Sequence, residues 1–112
     1  MVEDPTLTRE EYVRRVLTAY RSTPGITGIA RPPDRLLAVA LYERRVALTS
    51  IENAFILAAA RRLARPPDAQ PLPAIRSLAY FLPVIDEVLG LAVDPNYFRY
   101  LRQKVQAFAG TR

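Results

Sequence analysis

"SIENAFILAAARRLA", residues 50–64, decides the fold. At helical spacing, Ile51, Ala54, Phe55 and Ala58 share one side, and Ile56, Ala59, Ala60 and Leu63 share another. A helix that is apolar nearly all round has to be enclosed, so this segment is the centre and the other elements pack about it. Thr49, followed three residues later by Glu52, reads as a capping box at its start. Arg61, Arg62 and Arg65 close its far end, where the helix dipole favours cations.

Four further helices are read outward from this one. Upstream, Thr8 and Glu11 form another capping box, with Leu7 and Tyr12 at the hydrophobic-staple positions. Val13, Val16, Leu17 and Tyr20 supply the buried stripe of that first helix. Glu10–Arg14 and Glu11–Arg15 are i,i+4 pairs in the favourable order. After the loop "STPGITGIARPP", a second helix begins near Pro33, with Asp34 in its first turn, and presents Leu36, Leu37, Val39, Ala40 and Leu41. Downstream, "RPPDAQPLP" is too rich in proline for helix and reads as a stiff strap. Ser77 then caps a fourth helix carrying Leu78, Phe81, Leu82, Ile85, Val88 and Leu89, with Gly90 as its stop. Pro83 falls inside it, which predicts a kink or a split near Leu82. Asp94-Pro95 opens a fifth helix with Phe98, Leu101, Val105 and Phe108 inward. The predicted helices lie near 9–21, 33–45, 50–64, 77–90 and 95–108. No segment alternates with period two between hairpin turns. The expected fold is one all-α domain: a compact bundle of about five helices, packed orthogonally, with no sheet.

At 112 residues the chain can bury one core. It has no cysteine and no histidine, which removes disulfides, thiolate chemistry and the commonest general base and metal ligand. Asp86 and Glu87 point about 100° apart on a helix and cannot easily share a substrate or metal. "PGITG" lacks the strand and lysine of a phosphate loop. The expectation is a non-enzymatic protein with no cofactor and no metal. The polar, acidic N-terminus does not resemble a secretory signal, and no apolar run is long enough to span a bilayer. A cytoplasmic protein with no membrane role is expected.

The net charge of +5 is unevenly placed. Residues 1–94 hold twelve arginines and all eleven acids, whereas residues 95–112 hold Arg99, Arg102, Lys104 and Arg112 and no acid. On the fifth helix, Arg99, Arg102, Gln103 and Gln106 face out, with Tyr100 and Lys104 on the shoulder. Arginine paired with phosphate releases counterions, and tyrosine offers a stacking face, so this pattern suits nucleic acid. It equally suits a solvated helix face. Arg61, Arg62 and Arg65 form a second basic cluster. The unit formed by the second and third helices is rejected as a helix-turn-helix reading head, because its second helix offers apolar rather than polar side chains.

"LYERRVALTSIENAFILAAARRLARP", "PLPAIRSLAYFLPVIDEVL" and "DPNYFRYLRQKV" together resemble helical segments of replication-initiation and helicase-loader-like proteins of bacterial mobile elements. The shared features are an Arg-Val-x-Leu turn before a capped helix and a later Ser-x-x-Tyr-Phe, across roughly residues 41–105. The winged-helix, primase and nuclease regions of larger initiators are missing, so the resemblance implies an accessory DNA-associated role. The leading expectation is a protein that binds the phosphate backbone of DNA or RNA with weak sequence preference. Arg99, Tyr100, Arg102 and Lys104 would carry it, with Arg61, Arg62 and Arg65 as a secondary patch. The alternative is a protein-interaction module, a homodimer or adaptor, using Tyr80 and Tyr97.

Overall fold

The Thr8 hydroxyl accepts the Glu11 amide at 3.1 Å and the Glu11 carboxylate accepts the Thr8 amide at 3.1 Å, so the first helix begins on a closed capping box. The structure, a computed structural model, describes residues 7–26, 28–90 and 95–110, with the side chains of 95 and 108–110 outside that description. The expected cap Asp94 and the cation Arg112 therefore lie outside the described residues, as does the side chain of the expected core residue Phe108. Helix α1 runs Arg9–Ser22, α2 Pro32–Glu43, α3 Leu48–Leu63, α4 Leu82–Gly90 and α5 Pro95–Gly110, with a 3-10 turn at Leu78–Phe81. The protein is an all-α bundle, without a strand among the described residues beyond one isolated bridge between Ile26 and Ile75.

Tyr12, Val13, Val16 and Tyr20 turn the buried face of α1 toward α2 and α3, and Leu17 is only partly covered. The i,i+4 pairs expected on this helix do not close: Glu11 is committed to Thr8 instead. Its carboxyl is held below the ordinary 4.5 by the Thr8 amide first and the Thr8 hydroxyl next, and only weakly by Arg14 and Arg15.

Helix α2 stops in a turn that satisfies its last carbonyls with no glycine. The Arg45 amide donates to Tyr42 at 2.9 Å and the Val46 amide to Leu41 at 3.1 Å, while Arg45 sits in the left-handed region at φ 59°. Val46 and Leu41 are both buried, which supplies the apolar contact such a turn uses. Across the bundle, the Tyr12 hydroxyl donates to the Val46 carbonyl at 2.6 Å and fixes the turn to α1.

This turn corrects the expected start of α3. With Val46 and Ala47 buried and Ala47 extended, the chain enters the helix at Leu48, and Ala47 is a cap without a side-chain acceptor. Thr49 is thereby already helical and cannot cap, so the Thr49–Glu52 box does not form. The central role of α3 is shown by its neighbours: it packs against α1, α4, α5 and the 3-10 turn. Phe55 meets Phe81 at 4.8 Å between ring centroids, and Tyr20 meets Phe81 at 6.0 Å, both edge to face.

The strap from α3 to α4 is fixed at several points. The Arg65 guanidinium donates to the Gln70 carbonyl at 2.7 Å, Arg62 donates to the Pro73 carbonyl at 3.0 Å, and the Ile75 amide donates to the Gly25 carbonyl at 2.8 Å. Gly25 is required there twice over: its φ is +96°, and a Cβ would stand 3.1 Å from Arg62 Nε.

Pro83 does not kink a single helix. Ser77 caps the 3-10 turn by accepting the Ala79 amide at 3.1 Å, and α4 starts afresh at Leu82. Proline lacks the N–H that would reach the Ala79 carbonyl four residues back, and the Leu82 amide takes that carbonyl instead. The i→i+3 pattern follows directly, and Pro83 falls in the first turn of α4, where a missing donor is harmless. Leu89, expected in the core, is exposed, while Ile85 and Val88 hold the buried face of α4.

Candidate nucleic-acid interface

Helix α5 packs chiefly against α3 and buries Phe98, Leu101 and Val105. Arg102, Val105 and Gln106 line a groove with Glu52, Phe55 and Ile56, from the first half of α3, while the other end of α5 brings Tyr97 toward Arg61. The two helices therefore run antiparallel, with α5 on the outside. Arg99, Tyr100, Arg102, Gln103, Lys104 and Gln106 are all exposed. Arg99 and Arg102 make no hydrogen bond or ion pair with other described residues, and Lys104 Nζ stands 5.6 Å from the centre of the Tyr100 ring.

Helix geometry divides these residues further. Successive side chains are turned by about 100°, so Arg99 and Arg102 fall about 60° apart, as do Tyr100 and Lys104 within about 40°. The two pairs lie on opposite flanks of the exposed face. All four share one helix surface, but a single flat ligand reaches the Arg pair or the Tyr–Lys pair more easily than both.

The second expected cluster is not a free patch. Arg61 forms a two-pronged ion pair with Glu87, with Nη1 to Oε1 at 2.8 Å and Nη2 to Oε2. Hydrogen bonding to Arg61 holds the Glu87 carboxyl below its ordinary 4.5, the charge of Arg61 adding to this against the effect of burial. Arg62 lies over the Tyr80 ring at 5.9 Å, approaches its hydroxyl at 3.4 Å and holds Pro73. Arg65 holds Gln70. These three arginines clasp α4 and the strap onto α3 while staying at the surface, so each already has an internal partner. No local pattern points to this pairing, since Glu87 lies 26 residues from Arg61.

The late acidic pair is accounted for in the same way. Glu87 goes to Arg61, and Asp86 lies 3.5 Å from Arg44, an exposed contact. Among the described residues, no group of three or more carboxylates could hold a metal ion, and no helix is long and apolar enough to cross a membrane. A buried polar residue that sequence reasoning placed only as a dipole partner proved to have a larger role. Asp34, 3 % exposed, accepts the Arg31 amide through Oδ2 at 2.9 Å and the Leu78 amide through Oδ1 at 2.9 Å. Of the aromatics expected at a protein interface, Tyr97 is half exposed, and Tyr80 is half exposed beneath Arg62. The most exposed large apolar residues are Ile29, which the sequence reading did not single out, and Leu36, which it placed on the apolar face of α2, a face the structure instead buries through Ala38 and Leu41.

Set against known proteins, the chain matches no family model, no curated protein and no solved structure.

Proposed function

We propose that this chain is a non-enzymatic, nucleic-acid-associated accessory protein that attaches to the phosphate backbone through α5. One observation carries the reading: of the two basic clusters, the one on α3 is engaged in internal contacts, and the acid-free one on α5 is left with Arg99 and Arg102 uncommitted among the described residues. Cations that support no fold contact, set on an outer helix that exposes the ring of Tyr100 on its other flank, suit phosphate and base stacking. A role in replication of a mobile element remains part of this proposal and rests on the resemblance of residues 41–105 alone.

The test is a titration of labelled single-stranded DNA, duplex DNA and RNA at rising salt, with Arg99→Ala/Arg102→Ala in parallel. Binding should weaken steeply with salt, and the double variant should reduce the logarithmic salt slope by about 1 to 2. Absence of binding at low salt, or an unchanged slope in the variant, removes the proposal. The second reading, a protein-interaction module, is favoured by the exposure of Ile29, Leu36 and Tyr97. A concentration-dependent mass in solution, lowered by Leu36→Glu, would support it.

A further inference from the structure

The outward face of α5 carries more than charge. Turned away from the buried Phe98, Leu101 and Val105, on the Arg99 side of the exposed face, stand Arg99, Gln103 and Gln106, spaced i, i+4 and i+7 and lying within about 60° of one another. None makes a hydrogen bond to other described residues. On either side of this crest stand Arg102 and Lys104, about 200° apart measured across it, with Tyr100 between Gln103 and Lys104. A polar crest between two cationic flanks is the arrangement a helix needs inside the major groove. There the crest meets base edges and the flanks meet phosphates of the two strands.

We propose that α5 is a reading helix for the major groove of B-form duplex DNA, with Arg99, Gln103 and Gln106 toward base edges and Arg102 and Lys104 on phosphates of opposite strands. The side-chain chemistry fits: arginine pairs in two-pronged fashion with guanine O6 and N7, and glutamine with adenine N6 and N7. The placement fits as well. Helix α5 is an outer element that leans on α3, and its 16 residues give a rod of about 24 Å with a diameter near 10–12 Å, which the major groove admits. Helix α3, in the position a helix-turn-helix unit would use for reading, is closed off by α1, α4 and α5. Glu52 lines the groove between α3 and α5 together with Arg102, and the two make no ion pair. Duplex RNA is excluded as the preferred ligand, because the deep, narrow major groove of A-form helices does not admit a helix.

This inference rests on the nucleic-acid reading and adds groove and base selection to it. The experiment selects bound molecules from a pool of DNA duplexes with a randomised core, then compares the enriched duplex with unselected duplex and with duplex RNA of the same sequence. Gln103→Ala/Gln106→Ala and Arg102→Ala/Lys104→Ala are run beside the native chain, with circular dichroism to show that these exposed substitutions leave the helices intact. A shared sequence should emerge from the selection. The glutamine variant should lose roughly tenfold or more of the preference for it while keeping the salt slope. The cation variant should bind all duplexes more weakly, with a slope lower by about 2. Salt-dependent binding with no enriched sequence, equal binding of DNA and RNA duplexes, or preference for single strands would overturn groove reading and leave backbone attachment standing. No binding of any nucleic acid at low salt would remove both.

Discussion

Arg45 and Asp34 show what one residue contributes here. Arg45 occupies a left-handed position at φ 59° that glycine fills without a Cβ penalty. Arg45→Gly should therefore raise stability by about 1 kcal/mol, read as a higher urea midpoint with an unchanged slope. Asp34 has the opposite character. Asp34→Ala leaves the buried Leu78 amide without an acceptor and should lower stability by about 2–3 kcal/mol in the same assay. Asp34→Asn returns one of the two acceptors and should fall between. The short-range half of the Asp34 role was legible, since an acid three residues after a cap is a local pattern. Its bond to Leu78, 44 residues away, has no local sign.

At the scale of elements, what could be read from the sequence follows the range of the interaction that sets each boundary. The Thr8–Glu11 box, the Ser77 cap and the enclosure of α3 depend on neighbours in sequence or on helical period, and all three are present. The start of α3 was misread because the choice between Thr49 and Ala47 is made by the buried Val46 turn and its bond from Tyr12. The two basic clusters were indistinguishable as text. The packing of α4 beside α3 gives Arg61 to Glu87, while Arg99, on the outer helix α5, pairs with no described residue. Pro83 gives the sharpest test of element boundaries. If it sits in the first turn of α4, Pro83→Ala should change the thermal midpoint little, by less than about 1 kcal/mol in free energy. A proline inside a continuous helix would instead give a gain of about 3 kcal/mol on replacement.

For the whole molecule, stability should form a plateau in pH with an edge at each side. Glu87 and Glu11 are held below the ordinary 4.5, so their contribution is present above that value and is lost as pH falls through their lower folded values. Tyr20 is raised above 10.0, first by burial and then by the charge of Asp34, so its contribution is present below 10.0 and is lost as pH rises beyond it. Urea midpoints from about pH 3 to pH 11 should show both edges. Arg61→Ala should lower the plateau and make the acid edge shallower, because Glu87 then loses its main partner.

The strap has a consequence for how the chain is made. Gly25 waits for the amide of Ile75, and the buried oxygen of Asp34 waits for the amide of Leu78. Both acceptors are synthesised some fifty and forty-four residues before their donors. Helices α1 to α3 therefore leave the ribosome with a carboxylate that cannot be shut away from water and a core still missing Phe81. Closure waits for residues 75–81, and until they arrive the apolar face of α1 to α3 stays open to solvent.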